Sequence, residues 1–266
     1  MKVVLLGATG ASLPILHELT AGTDPHDTAT SLTVVASTLT DATVHGLRFC
    51  PDIDALTMPP ADPVPGGAVD ELRAYRVDAE WFPMTERTLA AAVLRTRLLN
   101  LGYTLAQAAE AMAKRFDPAF ALLPLSNQAV EAFAIVDGTA WPIHRWFAES
   151  RPAAEGFVLS GLDSAQAAPG VLAAIRAADL VLVGTDAVPE LGHEAILTLP
   201  GMTDALVGTR AHVVALAPPG GDRPPGGRLG GGLREHLPSL TLVAGVAEAL
   251  ALGEIDRTTS TIWDPR

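Results

Sequence analysis

The chain has 266 residues, a net charge of −12 and 48% hydrophobic residues. This length allows one large α/β domain or two small ones, each with a sizeable core. No stretch reaches the roughly 18 uninterrupted apolar residues of a membrane span. The acidic balance, without any basic stripe, argues against nucleic acid as a partner.

The N-terminal segment and the cysteine content indicate where the protein is located. MKVVLLGATG turns to glycine at once and has no small-residue cleavage pattern, so we interpret it as a first strand rather than a signal peptide. Cys50 is the single cysteine, which makes an internal disulfide impossible and a reducing cytoplasm the expected location. We interpret Cys50 as a small buried residue rather than a nucleophile.

The first half of the chain starts with a strand, a glycine turn and a helix in KVVLLGATGASLPILHEL, and residues 31–38 predict a second strand. Residues 41–78 look irregular. Residues 85–102 and 104–116 have helical spacing and predict a helical hairpin. Thr104 is the expected N-cap of the second helix, and Gln107 completes a capping-box pattern.

The second half begins with a predicted strand at 119–126, then a β-hairpin in EAFAIVDGTAWPIHRWF that turns at Asp137-Gly138. GFVLSGL predicts a further strand. PGVLAAIRAADLVLVGTD predicts a helix followed by a buried parallel strand. HVVALAPPGG and LTLVAGVAEALALG repeat the order of strand, loop and helix.

This alternation predicts a single α/β domain over residues 1–266, built on a doubly wound, mostly parallel (Rossmann-like) sheet. A loop and helical insertion at about 41–118 and a β-hairpin interrupt the alternation. Ligands in such sheets bind beyond the carboxyl ends of the strands. The loops of interest therefore follow residues 6, 38, 125, 184 and 217.

The first of these loops, GATGAS, offers Gly7, Thr9, Gly10 and Ser12 as phosphate-binding candidates, because backbone amides at a helix start can hold phosphate. The dinucleotide fingerprint expects a further glycine where Leu13 stands, and an acid at the end of the second strand, where VVAST has none. An NAD(P) oxidoreductase, a tight turn without ligand, and phosphate or nucleotide binding of another kind all stay open.

Another unusual segment is HGLRFCPDID, residues 45–54, which places a histidine, the cysteine and two aspartates within ten residues. Its spacing of His and Cys does not match a zinc site. The segment therefore indicates polar chemistry of another kind close to the second strand.

Six segments in order resemble the 2-phospho-L-lactate transferase (CofD-like) family: HGLRFCPDIDA, WFPMTERTLAAAVLRTRLLNLGYTL, LLPLSNQAVEA, APGVLAAIRAADLVLVGTDAVPELG, ILTLPGMTDAL and VVALAPPGG. The resemblance runs nearly from end to end. It implies a transferase that moves a phospholactyl-type group from a guanosine-diphosphate-activated donor to the deazaflavin Fo in coenzyme F-420 biosynthesis. It also implies Mg²⁺ dependence and a homodimer.

The resemblance suggests roles for the acidic residues. Asp41 stands at the family's metal-binding carboxylates and is the candidate Mg²⁺ ligand, with a turn cap as the alternative. Asp52 is the candidate that orients or deprotonates the acceptor hydroxyl. Asp52 and Asp54 lie two apart, so one is expected to face the site and the other solvent or a local turn. His45 could donate to a phosphate or carboxylate, or be structural.

Further binding positions follow from the same resemblance, and those expected near the nucleotide phosphates or the transferred group are Gly7, Thr9, Gly10, Ser12, Ser126, Thr185, Asp186, Gly220 and Gly221. Catalysis would rest on positioning and charge stabilisation, because phosphoryl-type transfer needs little covalent help.

The chain also departs from the family pattern. Asn127 and Gln128 replace an acidic pair, Ala91 and Ala92 replace Thr-His, and Asp186 stands where the family has an amide. Replacement of metal-binding carboxylates by neutral side chains weakens the binding of the metal. The alternative is thus a divergent or non-catalytic nucleotide or nucleotide-sugar binder of the same fold, like the gluconeogenesis-factor (YvcK-like) proteins.

Overall fold

The structure is a computed structural model that describes residues 1–21, 31–61, 64, 66–76, 81–184, 189–216, 237, 239–243 and 245–252. Its strands, in chain order, are β1 (Lys2–Ala8), β2 (Ser31–Ala36), β3 (Ala42–Val44), β4 (Leu47–Phe49), β5 (Ala121–Pro124), β6 (Glu131–Val136), β7 (Thr139–Pro142), β8 (Gly156–Ser160), β9 (Leu180–Val183), β10 (His212–Leu216) and β11 (Thr241–Val243).

The helices are α1 (Leu13–Thr20), α2 (Pro51–Thr57), α3 (Ala68–Ala74), α4 (Glu86–Asn100), α5 (Leu105–Ala113), α6 (Ile143–Ala148), α7 (Val171–Ala177), α8 (Pro189–Thr198) and α9 (Met202–Gly208). Residues 246–252 form a last helix. Two 3₁₀ turns cover Gly10–Ser12 and Leu162–Ser164. No described helix combines the length and apolar character needed to cross a membrane.

The central sheet has six strands in the order β11-β10-β9-β1-β2-β5, and each neighbouring pair is parallel. The chain leaves β1 toward β2 and β5 on one side, then returns to place β9, β10 and β11 on the other. This is the strand order of the doubly wound dinucleotide-binding folds, with its topological switch point between β1 and β9. The predicted doubly wound parallel sheet is confirmed.

Both faces of the sheet are buried, which explains why its strands are almost continuously apolar. Val4 and Leu6 point into a core shared with α7, α8 and α9. Val3 and Leu5, one residue out of phase, point into a second core with α1, α2 and α5. The period of two along β1 therefore divides the molecule into two layers around the sheet.

The predicted helical hairpin is confirmed as α4 and α5. Thr104 is the N-cap of α5, and its hydroxyl accepts from Gln107 N at 3.3 Å while the Gln107 side chain accepts from Thr104 N at 2.9 Å. Thr85 and Thr88 form the equivalent capping box at the start of α4. These reciprocal bonds satisfy amide groups that a helix start otherwise leaves unpaired.

The predicted β-hairpin is also confirmed, since β6 and β7 pair antiparallel around Asp137 and Gly138, which both have positive φ. The hairpin is shorter than expected, because residues 143–148 form α6. The strand predicted from GFVLSGL is β8, which pairs antiparallel with β6 in this three-stranded sheet rather than joining the central sheet.

The prediction that residues 41–78 are irregular was wrong. They contain the hairpin β3–β4 and the helices α2 and α3. The hairpin turns at His45 and Gly46, with φ of 51° and 74°, and Pro51 starts α2 with its fixed φ. Elements of three to seven residues carry too little periodicity to stand out in a sequence.

Candidate functional site

The switch point of the sheet is lined by glycine. Gly7 lies at the end of β1 with φ of 69°, and Gly184 follows β9 and donates from its amide to Leu6 O at 2.7 Å. A Cβ on Gly184 would lie 2.9 Å from Gly7 O. The two backbones approach so closely that only glycine fits at position 184, and the crevice beside them is the place where folds of this type bind ligands.

The amides of the glycine loop, residues 7–12, bond to acceptors of the protein, most of them within the loop itself. Thr9 N donates to Ser12 Oγ at 3.2 Å, Ala11 N to Thr9 Oγ1 at 3.2 Å, and Ser12 N to Thr9 O at 2.9 Å. Gly10 N donates to Asp52 Oδ1 at 3.0 Å. A phosphate that used these amides would have to compete with acceptors of the chain itself.

Asp52 joins three segments at the carboxyl edge of the sheet. Its Oδ1 accepts from Gly10 N, and its Oδ2 accepts from Thr40 Oγ1 at 2.5 Å. The side chain is buried at the start of α2. In this arrangement Asp52 ties α2 to the glycine loop and to the loop that follows β2.

A buried ionic cluster, which consists of Asp41, Arg48, Cys50, Asp54 and Arg95, lies beside that loop. Asp41 Oδ2 accepts from Arg48 Nη2 at 2.7 Å and from Cys50 Sγ at 3.2 Å. Arg95, which is 1% exposed, forms an ion pair with Asp54. Paired burial is how a protein accommodates charges that it removes from water.

We expected one of Asp52 and Asp54 to face the site and the other to face solvent or a local turn, and neither faces solvent. Both side chains are buried, Asp52 against the glycine loop and Asp54 against Arg95. The segment is a helix rather than a loop, so residues two apart project from nearly opposite sides of it and each contacts a different neighbour.

Burial controls the ionisation of the cluster. It raises the pKa of Asp41 from 3.8 to about 6, while the guanidinium of Arg48 acts in the opposite direction. Burial also raises the pKa of Asp54, against the opposing effect of Arg95, and it raises the pKa of the Cys50 thiol. Cys50 is fully buried and protonated, which agrees with its interpretation as a small core residue.

Two buried polar atoms on the loop after β2, Thr38 Oγ1 and Asp41 Oδ1, have no hydrogen-bond partner among the residues that the structure describes. Unpaired buried polar atoms are rare and costly in proteins. Asp41 Oδ1 is therefore a carboxylate oxygen on this loop that is available to a ligand.

A cavity of about 380 Å³ lies next to Asp41, between the β3–β4 hairpin and the antiparallel sheet. Trp81, Glu131 and His144 also line it, and the buried ring of His144 is fixed to Thr40 O through Nε2. Burial lowers the pKa of His144, which favours its neutral form. The cavity combines a flat aromatic ring with acceptors of hydrogen bonds.

A larger groove, about 670 Å³, lies between α2, α4 and α5. Its walls are mostly apolar, with Met58, Leu94 and Met112 among them, and Asp54 and Arg95 at one side. The groove is on the outer side of the insertion, whereas the smaller cavity touches Asp41.

The remaining predicted site residues are placed as follows. His45 is exposed in the turn of the β3–β4 hairpin, at the rim of the smaller cavity. Ser126 is buried after β5, where its hydroxyl donates to Gln128 Oε1 at 2.9 Å. Four predicted residues lie outside the described part of the chain: Thr185, Asp186, Gly220 and Gly221.

The amides that replace the family's acidic pair have structural contacts. Asn127 Oδ1 accepts from Ala106 N at 2.9 Å in the first turn of α5, and Gln128 Oε1 accepts from Gln166 N at 3.2 Å. These contacts need an oxygen acceptor but no negative charge.

Arg48 and His144 were missed as site residues by reasoning from the sequence. Arg48 lies inside the HGLRF motif. The available signal for it was that a buried Asp41 would need a cation close by. His144 comes from α6, about a hundred residues from Thr40, and no local pattern connects the two.

The fit of these residues to a divalent cation depends on Asp41. Among the described residues no group of three or more His, Cys, Asp or Glu side chains could hold a metal. Mg²⁺ needs only one or two carboxylates when phosphate oxygens complete its shell. Asp41 Oδ1 fits that minimum as a single protein ligand, whereas Oδ2 is already bonded to Arg48.

Comparison with known protein families gives a match that spans most of the chain. The model of the family described as 2-phospho-L-lactate transferase CofD matches residues 3–249. The chain belongs to the CofD family. The resemblance inferred from six short motifs is thereby confirmed.

Several relatives are named phosphoenolpyruvate transferase. The one from Mycolicibacterium smegmatis is 35% identical over 206 residues, which cover 70% of this chain and 63% of the relative. The one from Mycobacterium marinum is 36% identical and covers 73% and 65%. The one from Kitasatospora aureofaciens is 31% identical and covers 95% and 81%. The chain therefore spans less than two thirds of the length of the first two.

A solved structure supports the architecture. The crystal structure of a UPF0052 family protein from Bacillus halodurans is similar with a TM-score of 0.53 at 18% identity, and the match covers 81% of this chain and 68% of that protein. At this identity the likeness concerns the fold alone.

Proposed function

We propose that the protein transfers a phosphorylated three-carbon acid group from a guanosine-diphosphate-activated donor to a hydroxyl of the deazaflavin Fo, a step of coenzyme F-420 biosynthesis. The observation that carries this proposal is the family match over residues 3–249, which includes each described loop at the carboxyl edge of the sheet. The names of the relatives favour phosphoenolpyruvate as the source of the transferred group.

The chemistry is a substitution at phosphorus. The acceptor oxygen forms a bond to the phosphorus that carries the three-carbon acid, the bond from that phosphorus to the nucleotide's phosphate breaks, and guanosine monophosphate leaves. The hydroxyl proton passes to a base. Catalysis then consists of alignment and of stabilising charge on the phosphate oxygens.

The donor is proposed to lie across the glycine-lined switch point, with its phosphates toward the loop after β2. The crevice beside Gly7 and Gly184 is where folds of this type bind ligands, and the family resemblance makes Thr185, Asp186, Gly220 and Gly221 further candidates for binding the donor. A phosphate that used Gly10 N would displace Asp52 from that amide.

Asp41 is the proposed contact to the metal. Its free Oδ1 would bind Mg²⁺, which when present neutralises the diphosphate and improves the leaving group. Arg48, at 2.7 Å from the other oxygen, keeps Asp41 in place and adds positive charge on the side of the phosphates.

The acceptor is proposed to enter the cavity of about 380 Å³ beside Asp41 rather than the larger groove. Trp81 supplies an aromatic face, and Glu131 and Asp41 supply acceptors for ring N–H groups. Each oxygen of Asp52 already accepts one hydrogen bond, from Gly10 N or Thr40 Oγ1, so Asp52 could act as the base only through its remaining lone pairs or after releasing one of these donors.

A reaction with purified Fo and the activated donor, followed by mass spectrometry, tests the proposal directly. We expect a product heavier than Fo by the phosphorylated acid group, together with guanosine monophosphate. If the nucleotide binds but neither product forms, the transferase proposal fails. Donors with enolpyruvyl and lactyl groups, compared side by side, identify the acid.

A non-catalytic nucleotide or nucleotide-sugar binder is the second candidate. It is favoured by the structural use of Asn127 and Gln128, which hold α5 and Ser126 where the family pattern has an acidic pair. Thermal shift distinguishes the two candidates, since a bound ligand raises the melting temperature. Stabilisation by guanine nucleotides that increases with Mg²⁺ favours the transferase, and a preference for UDP-sugars favours the binder.

A further inference from the structure

Strand β4 is a short strand whose outer edge is covered by a helix instead of another strand. It contains three residues and pairs only with β3 among the described strands, with Arg48 opposite Thr43. Two-stranded ribbons of this length are marginal by themselves. The register of Arg48 therefore depends on contacts from outside the hairpin.

Those contacts come from two neighbouring residues of α4. Thr96 Oγ1 accepts from Arg48 N at 2.8 Å, and Arg95 Nη1 donates to Arg48 O at 3.1 Å. In this two-residue hairpin the backbone groups of the second pair from the turn point away from the partner strand. Arg95 and Thr96 thus take the place of a third strand at this one residue.

Arg95 is a costly choice for a purely structural contact. It is 1% exposed, pairs with Asp54, and leaves its Nε without a hydrogen-bond partner among the described residues. Buried ion pairs generally stabilise a fold no better than apolar residues of similar volume. The arrangement is better explained by the geometry that it imposes on Arg48.

Arg48 connects this support to the carboxyl edge of the sheet. Its guanidinium lies 2.7 Å from Asp41 Oδ2 and 3.9 Å from Glu131 Oε1. Both carboxylates line the cavity of about 380 Å³. A shift of the Arg48 backbone would move the guanidinium away from Asp41.

We propose that Arg95 and Thr96 are positioning residues, which hold the N–H and C=O groups of Arg48 at the outer edge of β4 so that its guanidinium holds Asp41 in the orientation that the transfer reaction uses. The role in the reaction rests on the proposed function. This clamp on the Arg48 backbone is a geometric statement that can be tested without activity.

The test compares Thr96→Val with Thr96→Ser and with the matched control Thr88→Val. Thr88 is on the same helix, and its hydroxyl also accepts from a backbone amide, Thr85 N at 2.9 Å. The first readout is the NMR signal of the Arg48 guanidinium protons in labelled protein, assigned with Arg48→Lys. The second is kcat and KM in the transfer assay, and the third is the melting temperature.

We expect both valine variants to lower the melting temperature, but only Thr96→Val to weaken or lose the protected Arg48 signals, with Thr96→Ser restoring them. We further expect kcat to fall about tenfold in Thr96→Val with KM for the donor within about twofold, since alignment rather than binding is lost.

Unchanged Arg48 signals in Thr96→Val, or an equal loss in Thr88→Val, would overturn the clamp. Altered Arg48 signals with an unchanged kcat would overturn its role in the reaction. If the wild-type protein transfers no group to Fo, the proposed function fails while the guanidinium signals still decide whether the clamp exists.

Discussion

Two neighbouring parts of the carboxyl edge are built in contrasting ways. At the switch point between β1 and β9, glycines let two backbones touch, and the amides of the glycine loop bond to acceptors of the loop itself and to Asp52. Beside β2, charged side chains from α2, β4 and α4 fill a buried ionic cluster. The first part is held by backbone geometry. The second is held by buried ion pairs, and removal of one partner destabilises the protein because the other charge stays buried without compensation.

The largest expected effect comes from breaking the ionic cluster. Arg95→Met leaves Asp54 buried without its cation and Arg48 O without a donor. We expect the free energy of unfolding in urea to fall by about 3–5 kcal/mol. Arg97→Met, an exposed position on the same helix, is the control and should change it by less than about 0.5 kcal/mol.

The pairing of Asp54 with Arg95 can be separated from simple loss of packing. The double variant Arg95→Met, Asp54→Asn removes the stranded charge and should recover part of the loss. Equal stabilities of the single and double variants would indicate that the guanidinium acts through packing alone.

The glycine-lined switch point is expected to tolerate substitution better than the ionic cluster does. Gly184→Ala places a Cβ 2.9 Å from Gly7 O and 3.1 Å from Leu6 O, so β1 and β9 must separate slightly. We expect a loss of about 1–3 kcal/mol, typical of overpacking, together with a smaller thermal shift on addition of guanine nucleotide.

Gly208→Ala is the matched control for that change. A Cβ at Gly208 meets nothing within 4 Å, so the variant should be neutral or stabilised by up to about 1 kcal/mol through the unfolded state. Equal effects of the two substitutions would show that the close approach at the switch point has no special cost.

The contrast also explains which parts of the molecule the sequence predicts. The central strands are long apolar runs, and Thr104-Gln107 and Asp137-Gly138 are strong local signals, so the sheet, the helical hairpin and the β6–β7 turn could all be predicted. His45-Gly46 has the same turn chemistry as Asp137-Gly138, but the strands beside it have three residues each, and the segment looked irregular.

Long-range pairing was beyond the reach of the sequence. Asp41 stood out through the family resemblance, but its partner Arg48 is identified only once β3 and β4 fold back on each other. Arg95 and Asp54 are 41 residues apart, and which of 16 arginines meets which carboxylate depends on how α4 packs on β4.

The charge of Asp41 gives a pH dependence that sharpens the comparison. Its pKa is raised by burial to about 6, above the ordinary 3.8, so the folded state binds this proton more tightly than the unfolded state does. The resulting stability is complete below pH 3.8 and is lost as the pH rises through about 6. In metal-free buffer, Asp41→Asn should therefore reduce the pH dependence of the free energy of unfolding between pH 3.8 and about 6, by at most about 1.4 kcal/mol per pH unit.

Arg48→Met provides the complementary variant for this titration. The guanidinium favours the ionised form of Asp41 and so lowers its pKa. Without the guanidinium the pKa of Asp41 should rise further, and the loss of stability should extend to higher pH. Urea unfolding between pH 4 and 8 measures both variants. Identical slopes in wild type and Asp41→Asn would assign the pH dependence to other groups.

The smallest expected effect concerns the acidic charge that the chain lacks at the start of α5. Asn127 Oδ1 accepts from Ala106 N at 2.9 Å, in the first turn of that helix. Asn127→Asp keeps the acceptor and adds a negative charge near the positive end of the helix dipole. We expect it to raise the free energy of unfolding by about 0.3–1 kcal/mol at pH 7 and low salt.

Asn127→Ala, which removes the acceptor, should instead lower the stability by about 1 kcal/mol. The same pair of variants tests whether position 127 also belongs to the reacting part of the edge. If Asn127→Asp increases the Mg²⁺-dependent thermal shift with guanine nucleotide, the carboxylate reaches the bound ligand. If it changes stability alone, the lost charge matters only for the helix.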